Sequence, residues 1–307
     1  YDFWSKARKY GIKPIIGVEA YVTPGTSRFD KTRVRWGEES QAGDDVSARG
    51  AYTHMTILSK NNTGMHNLFR MSSLASLEGQ LGKWPRMDRE LLSTYSEGLI
   101  ATSGCPSGEI QVRLRLGQWE EAVRAAADMQ DIFGKENYYI ELMDHGLDIE
   151  RRVTKQLLEL ARHIDAPLLA TNDLHYTTRE DAHAHEALLC VQSGSTLEEP
   201  TYDQGGKRFA FSGSGYYLKS AEEMRELFAE LPEACDNTLR VAEQCEVSFT
   251  EEVGRYMPHF PVPEGEDEVS TFVQAVETGL QQRYPAGVPD EVRKQAEYEI
   301  DVITGKG

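Results

Sequence analysis

The sequence has no apolar run of membrane-spanning length, and its mean hydropathy is −0.53, so it points away from a membrane. Cysteine is scarce: four residues in 307, at positions 105, 190, 235 and 245, with no Cys-x-x-Cys pair. That excludes a dense disulfide scaffold and fits reduced thiols in a cytoplasm. Positive charge is short as well. Thirty-three Lys+Arg stand against 50 Asp+Glu, a net charge of −17, which argues against a simple basic nucleic-acid-binding surface. The deficit is uneven: from residue 196 onward there are 23 acidic and 10 basic residues, or −13, and the rest of the chain carries only −4. The first two-thirds is the part able to lie beside a polyanion. The opening Tyr1-Asp2-Phe3-Trp4-Ser5-Lys6 has neither an initiator Met nor an apolar core. Upstream sequence is therefore expected, and the last residues likewise read as a cut. There is no internal repeat and no low-complexity tract.

What is present is alternation. Residues 13–22, 52–58, 98–103, 138–142 and 166–171 read as strands, being short, apolar and rich in β-branched residues. Residues 118–133, 149–164 and 179–192 carry helical stripes, and 23–50 reads as a long polar loop. Strand–helix alternation predicts a parallel α/β sheet or barrel over residues 1–195. Beyond residue 196 the pattern becomes loops and helices, expected over 220–230, 232–245 and 268–284, with a last helix from about residue 290. Ser220 followed by Glu223 fits a capping box, and residues 257–263 read as an extended proline-rich linker. The organisation expected is a barrel at 1–195, closing loops and helices at 196–264, and a helical lead-in at 265–307.

Sites in such barrels sit at the carboxyl ends of the strands. The first strand carries Glu19, the strand ending at Ser103 leads to Cys105, the next runs into Asp144 and His145, and the last leads to Asp173 and His175. Carboxylate, thiol and imidazole groups on one rim are the usual ligands of zinc- and manganese-type ions. In an extended segment the i, i+2 pair Asp173 and His175 points one way. Taken singly, Cys105 reads as a small buried apolar residue, either His as a hydrogen-bonded surface group, and Asp173 as a turn former. Four strand ends in agreement favour a metal cluster. His183 and His185, at i, i+2 on a helix, read as structural, as do His66 and His163. Cys190, Cys235 and Cys245 read as core, and the pairs Glu222-Glu223 and Glu251-Glu252 as solvated faces.

At these same residues the sequence resembles bacterial DNA polymerase III alpha subunits. The segments that carry the resemblance are Phe3-Trp4-Ser5-Lys6-Ala7 through Lys13-Pro14-Ile15-Ile16-Gly17-Val18-Glu19, then Thr53-His54-Met55-Thr56-Ile57-Leu58-Ser59-Lys60-Asn61. Thr102-Ser103-Gly104-Cys105-Pro106-Ser107-Gly108-Glu109, Tyr139-Ile140-Glu141-Leu142-Met143-Asp144-His145-Gly146 and Ala170-Thr171-Asn172-Asp173-Leu174-His175-Tyr176 follow in order. Tyr217-Leu218-Lys219-Ser220 and Phe260-Pro261-Val262-Pro263 continue the match, which covers essentially the whole chain.

The resemblance implies a distorted seven-stranded (β/α) PHP (polymerase and histidinol phosphatase) barrel, incomplete at its N-terminus. A helical segment leading to a polymerase palm would follow it. It implies Glu19, His54, Cys105, Asp173 and His175 as metal ligands for zinc, manganese or magnesium, with Asp144 and His145 on the rim. It implies further ligands upstream, and no catalytic residue for polymerisation within these residues, since that site and its magnesium lie downstream. The implied parent is a cytoplasmic DNA-directed DNA polymerase acting on primer-template DNA with other replisome subunits, such as the sliding clamp. Its PHP domain would be a metal-dependent 3′–5′ proofreading exonuclease. The alternatives are a non-catalytic scaffold, an error-prone polymerase paralogue, or a stand-alone PHP phosphoesterase.

Overall fold

The structure, a computed structural model, describes residues 1–41, 48–251 and 258–306. Part of the expected loop over 23–50, Glu252 of the acidic pair and Met257 of the proline-rich linker lie outside the described residues. The chain forms two compact units, residues 1–249 and 250–307.

The first unit contains α1 (Asp2–Lys9), β1 (Gly17–Val22), β2 (Thr53–Ser59), α2 (Asn62–Leu77), β3 (Arg86–Met87), α3 (Arg89–Thr94), β4 (Leu99–Thr102), α4 (Glu109–Arg115) and α5 (Trp119–Phe133). It continues with β5 (Tyr138–Leu142), α6 (Asp148–His163), β6 (Leu168–Ala170), α7 (Ala182–Ser193), α8 (Ala221–Leu227) and α9 (Pro232–Gln244). The second unit contains α10 (Glu268–Arg283) and α11 (Asp290–Thr304), joined by an Arg293–Glu277 ion pair at 3.1 Å.

Six strands form one mixed sheet in the order β3-β1-β2-β4-β5-β6. This is an α/β architecture that agrees with an incomplete PHP barrel followed by helices. The expectation of a parallel sheet needs one correction. β2 runs antiparallel to both β1 and β4, while β1 pairs with β3, β4 with β5, and β5 with β6 in parallel. The physical reason is the connection. A parallel crossover needs a covering element, usually a helix. Residues 23–52 supply no α-helix among the described residues, only short 3₁₀ turns at Glu39–Gln41 and Ala48–Gly50.

Burial follows the strand period. In β2, Thr53, Met55, Ile57 and Ser59 are buried, while His54, Thr56 and Leu58 are half-exposed. β4 and β5 are buried along their whole length, as their continuous apolar runs require. Helices cover the core face: α5 buries Ala122, Ala125, Ala126, Met129 and Phe133, and α6 buries Val153, Leu157, Leu160 and Ala161. α2 starts where the Asn61 side chain accepts from the Gly64 amide at 3.0 Å.

Candidate metal centre

The reversal of β2 decides where His54 goes. His54 lies near the start of β2, opposite Tyr21 of β1, and so reaches the rim where β1 and β4 end. Glu19 and His54 are diagonal neighbours on one face of the pair. The His54 Nδ1 lies 2.6 Å from Glu19 Oε1. The same nitrogen is 3.6 Å from Cys105 Sγ, which arrives on the loop after β4. One ligand atom from each of Glu19, His54 and Cys105 lies within 4.8 Å of the others.

The loop after β4 is shaped for this approach. Gly104 has φ +84°, and a Cβ there would stand 2.4 Å from the His54 carbonyl oxygen. Only glycine fits, in conformation and in space. The Cys105 thiol is pushed well up by burial, and by the carboxylates of Asp173 and Glu19 nearby. Glu19 is held below the usual carboxylate range, first by its hydrogen bond from His54.

Asp173 and His175 follow β6. They lie outside the tight group of three, yet close enough that Asp173 acts electrostatically on Cys105, and His175 on Glu19. Burial pushes the Asp173 carboxyl up, with His175 opposing and Glu19 adding to the rise. The extended i, i+2 geometry expected for this pair is corrected: Asp173 has φ +41°, in the left-handed region. The two side chains are related instead through the loop, with His175 Nδ1 donating to the Asp173 carbonyl at 2.6 Å. Among the described residues, Nε2 of His175 has no hydrogen-bond partner.

Asp144 and His145 stand at the end of β5. Asp144 Oδ1 accepts from the Gly146 amide at 2.8 Å, which forms the turn. Both nitrogens of His145 are engaged, Nδ1 with Glu150 at 2.6 Å and Nε2 with the Asn172 carbonyl at 2.8 Å. Burial favours the neutral ring, but Glu150 and the Asn172 carbonyl together outweigh it and raise the pKa of His145.

Three features carry no sequence signal. Glu141 on β5 is 2% exposed, accepts from the hydroxyls of Thr102 and of Thr171 (2.6 Å), and is pushed up by burial. Asn172 is a hub: its carbonyl accepts from His145, its Oδ1 from Lys219 at 2.6 Å, and its Nδ2 donates to the Tyr217 carbonyl at 2.5 Å. His185, read as structural, brings its ring to 5.4 Å from that of His175, beside Phe211 and Tyr216. A helix-face argument cannot foresee a neighbour that comes from another segment. Cys190, Cys235 and Cys245 are buried, as expected.

The donor set fits a divalent cation. Two carboxylates, a thiol and two imidazoles stand near one rim; burial first, and neighbouring carboxylates second, raise Cys105 and Asp173, and a cation would favour the ionised form of both.

Residues 1–145 match the family model of the PHP domain. Along its whole length the chain is 56% identical over 308 residues to DNA polymerase III subunit alpha of Mycobacterium tuberculosis, covering 100% of the chain and 25% of that protein. The subunit of the same name from Saccharopolyspora erythraea is 52% identical over 317 residues, covering 100% and 26%. That from Thermus aquaticus is 39% identical over 289 residues, covering 92% and 22%. Over its whole length the chain is thus similar to bacterial DNA polymerase III alpha subunits. It spans about a quarter of the length of the curated relatives it matches.

Proposed function

We propose that Glu19, His54 and Cys105, completed by Asp173 and His175, hold divalent metal ions that serve phosphodiester hydrolysis. In the whole polypeptide this is 3′–5′ exonuclease proofreading beside DNA-directed DNA synthesis. The single observation that carries the reading is the convergence of carboxylate, imidazole and thiol from β1, β2 and the loop after β4 within 4.8 Å. The thiol and imidazoles favour zinc, and the carboxylates also accept manganese or magnesium. When bound, such an ion supplies Lewis acidity and a water of lowered pKa.

The chain's own residues supply the rest. Glu19 and Asp173 provide the negative charge of the site. His175 is oriented through its bond to the Asp173 carbonyl, and His145 fixes the loop before Asp173 through Asn172. The relatives' name supports a DNA polymerase as the parent; primer-template DNA, replisome subunits such as the sliding clamp and a cytoplasmic setting are part of the same proposal. It also favours this reading over an error-prone paralogue or a stand-alone phosphoesterase. Among the described residues no helix is long and apolar enough to cross a membrane.

The test is Asp173→Asn in a polypeptide extended to the length of its relatives, measured for mismatched-primer degradation and for primer extension. Degradation falls by at least about tenfold, extension stays near wild type, and the melting transition is unchanged. Unchanged degradation places the nuclease elsewhere. Joint collapse of both activities in a well-folded variant makes the domain a scaffold for the polymerase.

A further inference from the structure

Tyr21, Tyr52 and Trp84 belong to none of the three apolar clusters of the core. They are half-exposed, and they form a continuous row that ends on His54. The Trp84 and Tyr52 rings lie 5.4 Å apart, and those of Tyr52 and Tyr21 4.2 Å apart. Tyr52 and Tyr21 each stand 5.5 Å from His54, with Tyr52 within 6° of parallel to it. The order arises from pairing: Tyr21 is opposite His54 across β1 and β2, and Tyr52 is two residues before His54, so all three share one face. Trp84 is placed by the turn in which Leu81 and Trp84 bridge.

The far end of the row is cationic. The Arg33 guanidinium lies 5.5 Å over the Trp84 ring and is itself positioned by donating to the Ala48 carbonyl at 3.0 Å. Lys83, the neighbour of Trp84 in sequence, is exposed. In a chain of net charge −17, the Arg33 guanidinium stands at the Trp84 end of the row, where a polyanion would enter.

We propose that the Trp84–Tyr52–Tyr21 row, with Arg33 and Lys83 at its mouth, is a binding track for the end of a single-stranded nucleic acid and leads it to the His54 rim. Every base has a face that stacks on an aromatic ring, so the track takes strands without regard to sequence. The phosphates between bases meet the guanidinium and ammonium groups. An apolar ligand would have no use for the cationic mouth, and a free phosphate none for the rings. That the track ends in hydrolysis rests on the metal reading above; that it binds a strand does not.

The test is fluorescence anisotropy of the chain with a fluorescein-labelled oligothymidylate of about 12 nucleotides. Tyr52→Leu and Trp84→Leu each weaken binding roughly 5- to 100-fold, and Tyr52→Phe and Trp84→Phe keep most of it. Arg33→Gln, at an exposed site, weakens binding and lowers the slope of log affinity against log salt by about 1. It carries the test if a leucine variant melts early. Unchanged affinity in folded variants overturns the proposal, as does equal displacement of the oligonucleotide by polyglutamate, which would make the surface a general polyanion site.

Metal-dependent hydrolysis of bis(p-nitrophenyl) phosphate by a polypeptide extended to the length of its relatives separates the two readings. Ring-dependent strand binding without any such turnover keeps the track and removes the metal reading. Turnover with ring-independent binding does the reverse.

Discussion

Gly104 couples the thiol to the imidazole, because its α-carbon packs against the His54 carbonyl while the next residue is Cys105. Gly104→Ala is expected to cost about 1–3 kcal/mol, from positive φ and the 2.4 Å clash together. A lowered thermal midpoint checks it, and a zinc titration of the same variant should show weaker binding, since Cys105 must move. An unchanged midpoint would mean the loop yields freely. Cys105→Ser separates the metals. Zinc affinity should drop roughly tenfold or more while manganese affinity changes little, because the thiolate is the soft ligand of the set. Equal losses for both ions would place the thiol outside the coordination shell.

At the scale of elements, α3 shows how a buried charge is kept. Asp88 is 3% exposed, caps α3 by accepting from the Leu91 amide at 2.9 Å, and pairs with Arg28 at 3.0 Å. Burial opposes its ionisation, but the amides of Arg28 and Leu91 and the Arg28 guanidinium outweigh it and hold the carboxyl below its usual range. A depressed folded pKa contributes stability above the unfolded value and loses it as pH falls through the folded one. Wild type should therefore lose this contribution progressively below about pH 4. Asp88→Asn should be less stable by about 1–3 kcal/mol at neutral pH, and the gap should close in acid. Urea midpoints at several pH values measure it, and a gap that persists at low pH refutes the assignment.

The same scale shows what could be read from sequence. The stripes of α5 and α6, the apolar runs of β4 and β5, and the capping box at Ser220 were legible, because each is a local period or a local cap. β3 was not: two residues show no period, and it exists because Arg86 is buried and donates to the carbonyls of Gly79, Ala51, Arg28 and Asp30. Glu19, Cys105, Asp173 and His175 could be picked as candidates by type and by position on or after strands, whereas His54, near the start of the antiparallel β2, came only through the family resemblance. The left-handed Asp173, the buried Glu141 and the Asn172 hub were not, since each is fixed by partners distant in sequence.

For the molecule as a whole, the chain covers about a quarter of its relatives' length, and the family resemblance leads one to expect the polymerisation site outside these residues. The purified chain should show no template-directed primer extension. Reproducible extension, surviving controls for contaminating polymerase, would mean that nucleotide transfer resides in these residues. The sheet itself has a further consequence. Its two outer strands are the shortest, two residues in β3 and three in β6. On the β6 side the Leu168 carbonyl already accepts from Asn237 of α9 at 2.7 Å. Open strand edges are templates on which other chains add and aggregate. Here the long strands are all interior, and one edge carbonyl is closed by a side chain, so the sheet offers little template for growth. Asn237→Leu should leave the secondary structure intact and yet raise light scattering on heating, as the opened edge begins to recruit neighbouring chains.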